Sequence, residues 1–441
     1  MQSGSRRSTI LVLCWRRLCC RRLNVVPTIG AYAMDAWRVR VMCKEDNAWF
    51  GLARLWRMIH EGGDLARLVQ QAGAQPDNAL MLMQMSFVLQ ITGQREAGLA
   101  LQARALQLQR EFSIPARRAP VALRVLVLLR PGDMMDNTPI DFLLENSDVA
   151  MVWLYLSEYA PELASCPPHD LVFVAVGEST ANRPLLEHLA SALHDWPQPV
   201  VNRPERICGL ARHTLYQLLA GIAGVYVPPT LLAGRRLLQQ IARRAALLEE
   251  YLPTAQFPLI VRPLDSHAGH GLARVMDEQE LLAYLEQQSG EQFYLAPFVD
   301  YRSRDGQYRK YRLALLEGEP YACHMATGEH WVVHYKDAGM ADSEVKRTEE
   351  ARFMLDFEQD FARRHAYALA GIATRIGLDY VVLDCAEMPD GRLLVFEMDN
   401  RGFVHAMDAA EIFPYKAPVM QRLFDAFRLA LCRTTIKMTA A

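Results

Sequence analysis

The chain lacks three things that would narrow its class at once. It has no run of roughly 18 apolar residues, so no segment reads as a membrane-spanning helix. It has no basic surplus: 48 Lys and Arg against 50 Asp and Glu leave a net charge of −2, which gives no electrostatic footprint for nucleic acid. Its nine cysteines (14, 19, 20, 43, 166, 208, 323, 385 and 432) include no C-x-x-C pair of the kind that binds zinc or cycles as a dithiol, and they read as reduced thiols of a cytoplasmic protein. What is present is an ordinary globular composition, 51% hydrophobic over 441 residues, long enough for two or three domains. Small-molecule chemistry is the default expectation.

Acidic residues are also missing from residues 1–33, which are arginine-rich. ILVLCW is too short and too closely followed by arginines for a secretory core, so this segment reads as a non-native start or disordered leader, with Met34 as the natural beginning. Residues 34–115 are helical in pattern. Leu82, Met85 and Leu89, a turn at Gly93, then Ala97, Leu101, Ala105 and Leu108 suit one tetratricopeptide-like helix pair or a plain helical hairpin, with Gly93 and Ala97 allowing close approach. An apolar helical face without a titratable cluster points to docking, including a possible protein partner, or to substrate presentation, and not to chemistry.

From about residue 120 the pattern changes to short all-apolar runs, VLVLL and LVFVAV, separated by helical segments. Such runs predict parallel strands of an α/β lobe over 120–230, with ligand loops at the strand ends, here Gly132 to Asn137 and Gly177 to Thr180. Asn202-Arg203-Pro204 and a buried strand at GVYV complete it.

Residues 231–430 read as α+β. FPLIVRPLDSHAGHGL predicts a strand ending at Arg262 and a loop carrying Gly269 and Gly271, which could close its amides over phosphate or could be a surface hairpin. Two strand pairs follow, turning at Glu317-Gly318 and Asp390-Gly391. Counting outward from the second turn brings Asp384 opposite Glu397 within about one residue, and Asp399 faces the same way because strand side chains repeat every second residue. Three convergent carboxylates repel unless a divalent cation neutralises them, and hard oxygen ligands favour Mg²⁺ carried with a nucleotide. The segment HMATGEHWVVHYKDAGM adds His324, His330, His334 and Lys336. The Trp-Val-Val between His330 and His334 favours strand over a zinc-binding helix, so the reading is a substrate pocket or a solvated strand with structural histidines. His405 suits a proton relay or a turn cap.

In the order of these parts, from about Val121 to Phe424, the chain resembles the ATP-grasp superfamily, especially the RimK-like and glutathione-synthetase-like carboxylate-amine ligases. The resemblance implies an α/β lobe preceding two α+β lobes with ATP between them, after a tetratricopeptide-like helical segment. It implies Arg262 and Arg212 in place of the phosphate lysines, a phosphate lid at Ser266, His267, Gly269 and Gly271, and an adenine hinge at Leu295–Val299 that includes Ala296 and Phe298. Pro297 replaces a common hinge glutamate. Arg312 would steady the transferred phosphoryl group, and Asp384, Glu397 and Asp399 would hold Mg²⁺ or Mn²⁺, with Asp399 replacing the usual asparagine. The implied reaction is ADP-forming ligation of an acid to an amine through an acyl phosphate. A phosphotransferase and an inactive nucleotide-binding scaffold are the alternatives. A homo-oligomer acting on small-molecule or peptide substrates is expected, with no membrane or nucleic-acid partner.

Overall fold

The computed structural model describes residues 49–63, 65–266 and 269–439. The leader, the proposed start at Met34, the helical stretch up to residue 48, Cys14, Cys19, Cys20, Cys43 and His267 lie outside the described residues. The described chain divides into two compact units, one ending at Phe173 and the other beginning at Val174. Among the described residues no helix is long and apolar enough to cross a membrane.

The first unit opens with four helices: α1 (Gly51–His60), α2 (Leu65–Ala74), α3 (Ala79–Ile91) and α4 (Arg95–Leu108). The sequence of α3, ALMLMQMSFVLQI, is apolar all round, and the helix is correspondingly buried from Met81 through Gln90. Asn78 starts it by accepting the N–H groups of Leu80 at 3.0 Å and Met81 at 3.3 Å, two donors that a helix leaves unpaired. The close approach of α4 falls one residue beyond the expected position. Ala97 is exposed, whereas a Cβ on Gly98 would lie 2.7 Å from the Ser86 carbonyl oxygen. Gly93, at φ +83°, serves the turn instead. Leu108 is also outside the buried face, at 53% exposed.

Strands β1 (Glu111–Ile114) and β2 (Leu123–Leu129), helix α5 (Ile140–Leu144), and strands β3 (Val149–Tyr155) and β4 (Leu171–Val174) follow, with the strands lying in the order β1–β3–β2–β4. The pairing of β2 with β3 is parallel, from Leu123 opposite Val149 to Leu129 opposite Tyr155. Both runs are almost wholly buried, as all-apolar strands require.

The second unit contains α6 (Arg183–Ala192), β5 (Val200–Val201), α7 (Pro204–Ile207), α8 (Arg212–Leu219) and β6 (Val225–Tyr226). A four-stranded antiparallel sheet follows from β7 (Leu231–Gly234), β8 (Leu259–Pro263), β9 (Ala273–Val275) and β10 (Gln292–Pro297), in the order β7–β10–β8–β9. Helices α9 (Arg235–Ala242) and α10 (Glu278–Gln287) put Leu238, Ile241, Leu281 and Leu285 into one cluster with Leu259, Val261, Phe293 and Leu295 of that sheet. Each such fully buried side chain contributes about 1.5–3 kcal/mol.

The second sheet is built from β11 (Tyr308–Leu316), β12 (Glu319–Gly328), β13 (Tyr380–Glu387) and β14 (Leu393–Asp399), with helices α11 (Glu344–Leu355), α12 (Phe361–Arg364), α13 (Ala366–Ile376) and α14 (Lys416–Thr439) completing the unit. Its order is β12–β11–β13–β14–β6. The segment at GVYV thus differs from the expectation: β6 is a half-buried, two-residue strand lying parallel to β14, because its short run reaches only Leu393 and Leu394.

Asp141 is the one strongly shifted carboxylic acid of the first unit among the described residues. Its Oδ2 accepts the Ala53 N–H in the first turn of α1 at 2.8 Å, and burial pushes its carboxyl up to about 7 against that hydrogen bond. The folded state therefore holds the proton more tightly than an unfolded carboxyl of pKa about 3.9, so stability falls as pH rises from about 4 towards 7, at up to about 1.4 kcal/mol per pH unit. Asp141→Asn, which keeps an acceptor and has no proton to lose, is expected to flatten the pH dependence of the thermal unfolding midpoint between pH 5 and 8. An unchanged slope would remove Asp141 as its cause.

Candidate functional site

Four neighbouring strands place one charged or polar side chain each in a single row. His324 of β12 lies opposite Arg312 of β11, Arg312 opposite Asp384 of β13, and Asp384 opposite Glu397 of β14. Register partners share a face, so the row is contiguous. The sequence count of Asp384 against Glu397 is met to the residue. Asp399 stands opposite Val382 on the same face, two residues further along.

What these carboxylates touch differs from the metal site expected of them. Arg312 donates Nε to Asp384 Oδ1 at 2.7 Å and Nη2 to Oδ2 at 2.9 Å, while Lys310 Nζ lies 2.6 Å from the same Oδ2. Glu397 is bound by Arg212, which also donates to the Phe396 carbonyl at 3.0 Å. Asp399 Oδ1 accepts the Arg401 N–H at 2.8 Å and is ion-paired with its Nε at 3.3 Å. Among the described residues no three His, Cys, Asp or Glu side chains gather as a metal-binding group. Asp384, Glu397 and Asp399, the residues expected to hold a metal, are thus each paired here with a cation of the chain, which lowers their mutual repulsion.

The charges respond to this pairing. Burial opposes ionisation of Asp384, but Arg312 and Lys310 outweigh it and hold the carboxyl well below its usual range. Burial likewise works against Glu397, yet Arg212 brings it down to about 2. Arg262, on β8 opposite Tyr294, is lowered to about 10 by burial and by the neighbouring Arg212 guanidinium. Two cations close enough to disturb each other mark a place that favours an anion.

The glycine-bearing loop begins beside this pair. Arg262 Nε donates to Ser266 Oγ at 3.0 Å, and Asp265, Gly269 and Gly271 all have positive φ. Gly271 is tied down by Tyr284, whose hydroxyl donates to its carbonyl at 2.7 Å. His334 packs against the loop, since a Cβ on Gly269 would come within 2.6 Å of its Nε2. The expected strand through His330 and His334 is not formed: β12 ends at Gly328, where the chain turns towards the single 3₁₀ turn Tyr335–Asp337 that leaves Lys336 exposed. His324 joins the row and stacks on Tyr335 at 4.6 Å and 3°, and burial with Arg312 beside it keeps the imidazole neutral. At the expected hinge, Ala296 is engaged opposite Ile260, and the Phe298 N–H donates to the Pro258 carbonyl at 2.9 Å. His405 accepts the Met407 N–H at 3.2 Å, the turn cap of the two readings.

Sequence reasoning missed Lys310, Arg401, Asn400 and Glu178. Lys310 and Arg401 each stand two residues from a residue that was singled out, Arg312 and Asp399, so the period of two was a usable signal. Glu178 had none. It is placed by Asn400, whose Oδ1 accepts the Glu178 N–H at 3.2 Å and whose amide donates to the Val176 carbonyl at 3.0 Å. Burial, then Asp265, pushes the Glu178 carboxyl up to about 7.

No family model matches the chain, and no curated protein matches it. Solved structures similar to it include a D-alanine–D-alanine ligase from Bacillus anthracis complexed with ATP, at 14% identity and TM-score 0.45 over 72% of this chain and 99% of that one. A RimK domain ATP-grasp protein from Sphaerobacter thermophilus is 18% identical at TM-score 0.39, over 69% and 98%. VanG D-Ala:D-Ser ligase from Enterococcus faecalis is 13% identical at TM-score 0.45, over 70% and 99%. Overlap of this extent carries no argument about activity, which has to rest on the site.

Gly177 gives the site a steric test. A Cβ there would lie 1.8 Å from Arg401 Cδ, so the strand end and the Arg401 side chain meet only because the position is glycine. Gly177→Ala should destabilise the protein by about 1–3 kcal/mol through overpacking. Gly209→Ala is the control, since its nearest contact would be an ordinary 3.8 Å to Leu218. Urea unfolding of both variants reads the difference; equal midpoints would contradict the close approach.

Proposed function

We propose that the second unit binds a nucleoside triphosphate and uses it to join a carboxylic acid to an amine, as ATP-grasp ligases do. The observation that carries this reading is the neighbouring, half-buried guanidiniums of Arg262 and Arg212 next to a loop of positive-φ residues, an arrangement suited to polyphosphate. In this reading the ATP-grasp part spans 231–430, the preceding α/β lobe 120–230, and the helical segment 34–115 serves docking. The adenine would lie along Ala296–Phe298 and the phosphates along Arg262, Ser266 and the glycine loop.

The reaction has two steps. A substrate carboxylate oxygen attacks the γ-phosphorus and ADP leaves, giving an acyl phosphate; the amine nitrogen then attacks the acyl carbon, phosphate departs and the nitrogen loses a proton. The protein's part is to align the reactants and neutralise the charge on the transferred group. Arg262 and Arg212 hold the phosphates, Arg312 is fixed by Asp384 beside them, and neutral His324 is available to the acid or the amine. Magnesium, which the resemblance implies, would be held by Asp384, Glu397 and Asp399 only alongside the cations already paired with them, and no step is drawn through it.

The test is a screen of amino acids and short peptides, each offered as acid and as amine, with ADP release as the readout. ADP appearing only with both partners is the expected result. A phosphorylated product without an amine would replace this reading with a phosphotransferase, and absence of nucleotide binding would end it. Arg262→Met should weaken nucleotide binding by about 1.5–3 kcal/mol, the worth of a charged hydrogen bond. Calorimetric titration measures that change, and unchanged affinity would remove Arg262 from the site.

A further inference from the structure

A divalent cation of the hard class takes about six oxygen ligands, and carboxylates serve it only with oxygens to offer. At this site both oxygens of Asp384 are occupied. Arg312 bonds each of them, Lys310 adds a third contact, and the side chain is only 1% exposed. A metal ion reaching Asp384 would have to displace two cations from a buried carboxylate and then sit beside them, which Coulomb repulsion and desolvation both oppose. Glu397 and Asp399 are held less completely, Arg212 on one oxygen of Glu397 and Arg401 on one oxygen of Asp399, so a cation approaching them would sit beside a guanidinium. On the rim, Glu178 and Asp265 add acidic groups, with Arg183 Nη2 3.6 Å from Glu178 Oε1.

Lys310 is the residue that makes this arrangement distinct. It sits two positions before Arg312 on the same strand face, and an ammonium has three donors, of which Asp384 Oδ2 takes one. We infer that Lys310 stands in for a divalent cation: with Arg212 and Arg262 it supplies the counter-charge for a bound polyphosphate, so that nucleotide binds here without metal. The inference rests on the nucleotide reading above but concerns a property that reading does not contain. It also assigns a cause, since removing Lys310 leaves Asp384 with one cation fewer and reopens an oxygen to metal.

The experiment titrates the full chain calorimetrically with ATP and, separately, with inorganic tripolyphosphate, each in excess EDTA and in excess Mg²⁺. For the wild type the affinities in the two conditions are expected to agree within about threefold. Lys310→Ala should lose about tenfold or more of the EDTA affinity and recover part of it when Mg²⁺ is added. Lys310→Met, which keeps the stem's bulk, should behave alike, and circular dichroism of both variants reports folding. ATP binding that needs Mg²⁺ in the wild type would overturn the inference and leave the nucleotide reading intact. Tripolyphosphate binding in EDTA without any ATP binding would overturn the nucleotide reading and, with it, the inference. An EDTA affinity unchanged in folded Lys310→Ala would also overturn it, and no binding of either probe under any condition would overturn both. If neither variant folds, the wild-type comparison alone decides.

Discussion

The buried ion pair between Arg312 and Asp384 is the constraint around which the second unit is arranged. Taking two charges out of water costs several kcal/mol per ion, and only good geometry with further hydrogen bonds offsets it. Here the guanidinium meets both carboxylate oxygens, Lys310 adds its charge, and Arg312 Nη1 donates to the Phe403 carbonyl at 3.2 Å. The two residues face each other across β11 and β13, so the pairing of those strands cannot slip without exposing an unpaired buried charge. Once that register is set, His324 and Glu397 have nowhere else to stand than the same row.

Two asparagines extend the order outward from the sheet. Asn202, following β5, accepts the Tyr380 N–H at 2.9 Å and donates to the Tyr380 carbonyl at 2.8 Å, acting on β13 as an extra strand residue would. Asn400, following β14, does the equivalent for Val176 and Glu178. A fully buried amide side chain is tolerated only when satisfied, and both are completely buried and bonded. The loops that border the carboxylates are therefore set by hydrogen bonds at the ends of the sheet's inner strands. Gly177 removes the side chain that would otherwise block Arg401.

The row of charge then has a different character from a cluster of acids. Its carboxylates are ionised because cations hold them so, and those cations are in turn drawn close enough for Arg212 to depress Arg262. The proposed anion binding would draw on the same network that pairs these carboxylates, so a change at Lys310 or Arg312 is expected to reach both.

Local chemistry was legible in the sequence wherever it is decided by neighbours along the chain. Glu317-Gly318, both at positive φ, and Asp390-Gly391 had to be turns, and the turns set which residues face each other, so Asp384 opposite Glu397 followed by counting. The apolar runs of β2, β4 and β8 were legible as strands for a similar reason: a short continuous apolar run between turn signals reads as a buried strand. The buried face of α4 was off by one residue because the choice between Ala97 and Gly98 depends on the helix it meets. The strand expected through His334 stopped at Gly328, since strand propensity yields where packing turns the chain. What only the tertiary structure decided is which charge answers which: Lys310 on Asp384, Arg212 on Glu397, Arg401 on Asp399. Ion pairs form between side chains brought together from distant positions, and their strength depends on burial and geometry, neither of which a linear sequence contains.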